Sequence, residues 1–438
     1  MKRPIAGLVA ILFATTAAGA ASAQNLVVSN ARIITGTGQV IEKGSVVVKD
    51  GKIASVAAGA APAAAGAVRI DATGMTVMAG FIDDHRHLIY GPPEAYFRDQ
   101  AQQRMQELLD SGVTTVLSGG DNPAGILELK KRVESGQLKG PRIITSTQVP
   151  TGRLPNEEAA RAAIRAAKAT GADTVAEIIY PMATFPEMAG DQETKNLSAA
   201  IDEANKLNLP VQVHAVSPPA MVAAVKAGAR KLVHTPHFGW VSDADAQVVK
   251  TAGAQVSSCT GFGAPVFDVF NRDNKPTFRD GRPWPAGILA GEGRGREAGY
   301  KPVNARTLFD NGVTFGYCTD TNYYAPAALA QELRVLSLVF SPIDLVQILG
   351  RNSAAFIDRS ADLGSLEVGK LGDMVILNGN PLEGYWNLLN AVVTVKAGVI
   401  MADKRAALKP SRSLPYFRAP LETPPATQPG APPARPPA

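Results

Sequence analysis

From residue 76 to residue 319 the sequence alternates short β-branched runs with Ala-, Glu- and Lys-rich segments of helical period. Strand-like runs fall at 76–82, 113–118, 142–146, 173–180, 211–216, 231–235, 255–259 and 313–319. Strands that alternate with single helices run parallel, because a parallel neighbour is reached only through a crossover of about a dozen residues or more. Eight such units are what a closed (β/α)8 barrel requires. The expected fold class is therefore α/β, a TIM-like barrel. Helices are expected at 157–170, which is Ala-rich, and at 196–206. Two more follow the last strand, the second opened by Ser341-Pro342 as cap and first turn.

Both flanks of this repeat are β in texture. Short runs at 25–28, 31–34, 45–49 and 52–56 are separated by Gly and Asn turns, and β patterning returns at 364–377 and 391–401. The two flanks are expected to pair into a small β-sandwich module built from both ends of the chain. That gives a module at 24–75 and 359–403 around a barrel at 76–358, a division that suits 438 residues at roughly 100–200 per domain.

The extreme ends read differently. Lys2 and Arg3, an apolar run over 5–20 and Ala21-Ser22-Ala23 before Gln24 form the three-part pattern of a cleaved secretory signal over residues 1–23. Export to a periplasm or secretion is the expectation, with no membrane span in the mature chain. Residues 404–438 hold ten of the 32 prolines and lack a hydrophobic pattern, so a largely disordered tail is expected. The formal charge of +5 sits at the ends: Lys2 and Arg3 carry +2 and residues 404–438 carry +5, which leaves 4–403 at −2. Such a body offers no basic face to nucleic acid. A small-molecule substrate is the expected partner, and a homo-oligomer stays open. Cys259 and Cys318 lie inside apolar runs and are expected as buried free thiols.

The chain has five histidines, His85, His87, His214, His234 and His237, and the first four stand at the ends of expected strands. The C-terminal ends of barrel strands are where reactive side chains converge. His85 and His87 are two apart, so on an extended strand both imidazoles point the same way and can grip one metal. A buried histidine can equally be a satisfied core residue, but core placement would scatter some of the five onto helices and loops. Asp320 ends an otherwise apolar strand, Gly316-Tyr317-Cys318-Thr319-Asp320. An ionised group there needs a metal, a proton or a partner. Its alternative, capping the helix that begins near Ala325, suffers from the separation.

Gly80-Phe81-Ile82-Asp83-Asp84-His85-Arg86-His87 and the run 364–377, Gly-Ser-Leu-Glu-Val-Gly-Lys-Leu-Gly-Asp-Met-Val-Ile-Leu, resemble signatures of the amidohydrolase superfamily. The resemblance extends along nearly the whole mature chain, within the imidazolonepropionase and prolidase-like branch. It implies metal-dependent hydrolysis, with His85 and His87 on a more buried metal and His214 and His234 at a more exposed position. Asp320 would ligate metal and handle the proton of the reacting water. Many binuclear members carry a carboxylated lysine on strand four, where this chain has Ala176. The adjacent Glu177 can replace it as an anionic bridge if the strand slips by one residue, or can face a helix in a salt bridge instead.

The implied cofactor is a divalent metal, Zn2+ from the imidazole and carboxylate set, one or two per chain. It would lower the pKa of bound water from 15.7 to about 7, with Asp320 as general base and then acid. His237, Tyr180 and Trp284 are candidate substrate contacts, Trp284 within a long aromatic-rich connection at 262–303. An exported hydrolase of amide-type C–N bonds, acting on a dipeptide or N-acyl amino acid, is the leading expectation. A deaminase or a lactone or carbamate hydrolase uses the same activated water and stays open. A noncatalytic binding protein is the third reading, and buried ligand-type side chains argue against it.

Overall fold

A computed structural model of the chain describes residues 25–62, 64–180, 190–261, 297–322 and 324–408. The expected signal segment, Trp284 with most of its loop, and the tail beyond 408 lie outside the described residues. Among the described residues no helix is long and apolar enough to cross a membrane. The chain divides after Asp403; the described part of the remainder holds one 3-10 turn, Arg405–Ala407.

The fold is mixed α/β. The N-terminal flank gives β1 (Leu26–Ile34), β2 (Val40–Lys49), β3 (Lys52–Ala58), β4 (Val68–Asp71) and β5 (Thr76–Ala79). The strands expected at 25–28 and 31–34 are one strand, because a bulge between Val28 and Ala31, with Asn30 at φ +58°, absorbs the interruption. The parallel strands are β6 (Phe81–Arg86), β7 (Val113–Ser118), β8 (Arg142–Ile144), β9 (Ser146–Pro150), β10 (Thr174–Ile179), β11 (Val211–His214), β12 (Lys231–Val233), β13 (Gln255–Ser257) and β14 (Phe315–Gly316). Between and after them run α1 (Pro93–Asp99), α2 (Ala101–Asp110), α3 (Pro123–Glu134), α4 (Glu157–Ala169), α5 (Asp191–Lys206), α6 (Pro218–Lys226), α7 (Asp243–Thr251), α8 (Glu297–Asp310), α9 (Ala325–Leu336), α10 (Pro342–Gln347) and α11 (Ser353–Phe356). Ser341 caps α10 in a reciprocal box with Asp344, as its position before Pro342 implies. The C-terminal flank returns as β15 (Met374–Leu377), β16 (Ala391–Lys396) and β17 (Val399–Asp403).

The flanks join in one eight-stranded sheet of order β17-β16-β15-β5-β1-β2-β3, with β4 beside the first half of β1. The expected strand 76–82 is two strands that belong to different sheets. It breaks at Gly80, where a Cβ would lie 2.3 Å from the Thr114 side chain, so only glycine fits. Thus β5 completes the flanking sheet and β6 starts the parallel set. Similarly 142–146 divides into β8 and β9, on either side of Thr145.

The parallel strands form two sheets, β6-β7-β8 and β14-β13-β12-β11-β10-β9. Backbone bonds also link the last strand to the first: Asp84 N–H donates to the Tyr317 carbonyl at 2.9 Å, and Asp320 N–H to that of His85 at 2.9 Å. Val116, Val175, Val213, Val256 and Phe315 from the strands pack with Ile126, Ile164, Leu197, Met221 and Leu308 from the helices in one buried core. Burying each such side chain contributes about 1.5–3 kcal/mol.

Cys259 and Cys318 are not free thiols: they form a disulfide with Cα atoms 4.9 Å apart. Ser257 pairs with Gly316 in the β13–β14 register, so two residues further on the cysteines are neighbours. Burial in apolar runs is common to both states; adjacency of strands 59 residues apart in sequence decides it.

Candidate metal centre

Six side chains converge at the C-terminal ends of β6, β10, β11, β12 and β14. His85, on β6, is fully buried, and His87 stands one residue past that strand. Asp320 Oδ1 lies 3.5 Å from His85 Nε2 and 3.3 Å from His87 Nε2, while its Oδ2 is 3.5 Å from His234 Nδ1. Glu177 Oε2 is 3.3 Å from His214 Nδ1 and 3.2 Å from His234 Nε2. The ring centroids of His85 and His234 are 5.4 Å apart, and those of His214 and His234 4.7 Å apart. Two backbone features aim these groups. Asp320 and His234 adopt left-handed φ of +48° and +69°, a conformation uncommon for non-glycine residues and enriched at functional sites.

Glu177 reaches the centre through a bulge. Ala176 pairs with Gln212 and Ile178 with Val213, so Glu177 is left over between them, and a one-residue discrepancy also separates β10 from β9. This is the one-residue slip that lets Glu177 turn towards His214 and His234. No helix salt bridge engages it among the described residues.

The electrostatics are those of two carboxylates among imidazoles. Burial alone raises the Asp320 carboxyl, but His234, His85 and His87 outweigh it and hold it well below the usual carboxylate range. Burial likewise opposes ionisation of Glu177, and His214 and His234 reverse that too. Both are therefore anions at neutral pH. Burial disfavours a charge on His87, yet Asp320 lifts its imidazole to about 9.

The donor set fits a divalent cation. Both ring nitrogens of His85, both of His214 and Oε2 of Glu177 are buried and have no hydrogen-bond partner among the described residues. His85, His87 and Asp320, and again His85, Glu177 and His234, offer ligand atoms within 4.8 Å of one another. Four imidazoles with two ionised carboxylates are the ligands that zinc and similar divalent ions take.

His237 is half-buried beside the cluster. Its imidazole is held below its ordinary range by burial, then by the charges of Lys301, His234 and His214. Tyr180 does not join the site. It stands just past the end of β10, buried against α5, with its hydroxyl 3.0 Å from that of Thr194.

Three neighbours escape a reading of the sequence alone. Gly119 follows β7, and a Cβ there would lie 3.0 Å from His85 Nε2 and 3.2 Å from His87 Cε1, so it clears room for both rings. The Gly119-Gly120 pair at a strand end was its available signal. Asp121 accepts from the Leu88 and Ile89 amides at 3.0 Å and fixes the chain leaving His87. Arg86, between the two histidines, is buried.

Known proteins carry the same architecture. An imidazolonepropionase from Caldanaerobacter subterraneus subsp. tengcongensis is 22% identical over 417 residues, covering 82% of this chain and 91% of the relative. The structure of a Xaa-Pro dipeptidase with bound methionine superposes with a TM-score of 0.70 at 22% identity, covering 86% of this chain and 99% of that one. Molinate hydrolase does so with a TM-score of 0.70 at 16% identity, over 90% and 99% of the two chains. At these identities the solved structures speak for the fold. Residues 76–402, which hold every strand that supplies the centre, match the amidohydrolase family throughout, and the chain belongs to that family of metal-dependent hydrolases of carbon–nitrogen bonds.

Proposed function

We propose that the protein is an exported hydrolase that cleaves an amide-type C–N bond in a small molecule, a dipeptide or an N-acyl amino acid. Its centre would comprise His85, His87, His214, His234, Glu177 and Asp320. The observation that carries this reading is the convergence of two ionised carboxylates on four imidazoles, two of which, His85 and His214, have both ring nitrogens buried with no hydrogen-bond partner among the described residues. Imidazolonepropionase and Xaa-Pro dipeptidase, the names borne by similar proteins, both belong to small amide-type substrates.

His85, His87 and Asp320 would hold one cation, and Glu177 with His214 and His234 a second, zinc by donor type. When bound, such an ion supplies Lewis acidity to a water and to the scissile carbonyl. Asp320 does the proton work. Its Oδ2 faces one imidazole and its Oδ1 faces two, so Oδ2 is the freer oxygen to accept the proton of the attacking water and return it to the departing nitrogen. Glu177 keeps His214 and His234 oriented and balances positive charge. His237 lines the approach to the substrate.

The proposal also takes the two parallel sheets as one closed (β/α)8 barrel, with the flanking sheet as a sandwich module at its side. The Asp84–Tyr317 and Asp320–His85 backbone bonds between last and first strands support closure. The N-terminal pattern over 1–23 and the Cys259–Cys318 disulfide, a bond of oxidising compartments, support export.

Elemental analysis of the chain purified from the exported fraction should give about one or two zinc-class ions per molecule. Chelation should abolish turnover, and zinc should restore it. A panel of dipeptides, N-acyl amino acids, lactones and amino-substituted heterocycles should show hydrolysis of amides foremost. A metal-free chain with full turnover, turnover confined to lactones or deamination, or retention in the cytoplasm would each overturn the corresponding part.

A further inference from the structure

Arg86 stands between the two histidines of His85-Arg86-His87 and is only 4% exposed. A buried guanidinium is costly unless its donors are engaged. Its Nη1 forks to the hydroxyls of Thr319 and Thr321, each at 2.9 Å. These two residues flank Asp320. The Thr319 hydroxyl in turn donates to Asp83 Oδ2 at 2.7 Å, and the Thr319 amide to Asp83 Oδ1 at 3.1 Å. Asp83 is itself buried, with Oδ2 3.9 Å from Arg86 Nη1.

The clamp thus grips the chain on both sides of a residue in an unfavourable conformation. Asp320 has φ +48°, and its own amide is tied to the His85 carbonyl at 2.9 Å. The bonds from Arg86 and Asp83 to its neighbours add to that amide bond in fixing the segment that carries the Asp320 carboxylate beside His85, His87 and His234. The only groups that fix residues 319 and 321 by side-chain bonds among the described residues are Arg86 and Asp83.

We propose that Arg86 is a positioning residue for Asp320: through Thr319 and Thr321, and braced by Asp83, it holds the carboxylate where the two halves of the centre meet. This rests on the role given to Asp320 above. The role assigned to Arg86 is exercised through its bonds to Thr319 and Thr321, which flank Asp320.

The test is a double-mutant cycle read on zinc affinity by competition with a chromogenic chelator, with kcat and KM on the best amide of the panel alongside. Arg86→Gln should weaken zinc binding and lower kcat by about 10–100-fold, the usual effect of losing an outer partner of a ligand, with KM changed by less than about threefold. In an Asp320→Asn background the same substitution should cause no further loss of zinc affinity, because the group it positions is already altered. Arg86→Lys should not rescue, since the lysine Nζ sits one bond short of the place of Nη1, which makes both threonine bonds. Thr321→Val, which keeps the cation and its bond to Thr319, should show a smaller loss in the same direction, and it carries the test if Arg86→Gln fails to fold.

A merely structural role predicts the opposite pattern: a lower melting temperature that is equal in both backgrounds, with zinc affinity and kcat per folded molecule intact. That result overturns the proposal. If Asp320→Asn alone leaves zinc affinity and turnover intact, the assignment of Asp320 fails instead. Loss with Asp320→Asn but none with Arg86→Gln and Thr321→Val rejects only the clamp.

Discussion

Replacing Glu177 by Gln keeps the side chain's shape and removes one negative charge from a buried space that faces His214 and His234 at 3.3 and 3.2 Å. Two dications held close together repel, and an anion between them offsets that repulsion. Glu177→Gln should therefore lower the metal content from about two per chain towards one and reduce turnover at least about tenfold, with the circular dichroism spectrum unchanged. Unaltered stoichiometry and rate would reject Glu177 as an anion that holds a second ion. At this scale the sequence is legible where residue type is scarce. Five histidines exist, four close strands, and Asp320 ends an apolar run. Glu177 is legible only as one of two alternatives, because a bulge is a matter of pairing with β9 and β11, not of local pattern. Arg86 is not legible at all as a clamp, since its partners lie 233 and 235 residues away.

Strands β13 and β14 are only three and two residues long, yet they carry the chain to Cys259 and to Asp320. Their ends are joined by the disulfide, which closes a connection of 59 residues. In the chain-entropy account a loop of that length contributes about 4 kcal/mol, and engineered or natural cases commonly deliver about 2–4. Cys259→Ala/Cys318→Ala should therefore melt several degrees lower. Turnover at low temperature should stay within about threefold of wild type, because Asp320 is held independently from β6 by Arg86, Asp83 and the His85 carbonyl. A collapse of turnover in a folded, metal-loaded double variant would show that the disulfide, rather than β6, holds Asp320. Alternation of strand and helix texture makes most of these elements legible, including the cap of α10 at Ser341. Boundaries are less so. The run 76–82 reads as one strand, and only the contact of Gly80 with Thr114 explains why it serves two sheets.

For the molecule as a whole, the two ends of the described chain meet in one sheet, and β5 is the seam: β1 pairs with one of its edges and β15 with the other. The sheet is also fastened to the parallel strands and their helices. Arg142 Nη1 bonds Asp373 at 2.6 Å, the Thr394 hydroxyl donates to the Leu109 carbonyl at 2.6 Å, and Lys396 Nζ donates to that of Gly140 at 2.6 Å. Val375, Ile376, Leu377, Val393 and Val395 are all fully buried in it. At about 1.5–3 kcal/mol for each such side chain, these five approach the whole net stability of a typical domain, about 5–15 kcal/mol. A chain that stops at Asp362 loses them, exposes the edge of β5 and leaves Arg142 without its carboxylate. It should accumulate as aggregate and show no cooperative melt, although every residue of the metal centre is still present. A chain that stops at Arg418 removes only proline-rich sequence and should keep the wild-type melting temperature and turnover. Soluble, metal-binding protein from the shorter chain would mean that the parallel strands and their helices fold without the sheet, and that the shared β5 seam adds no stability to the metal centre.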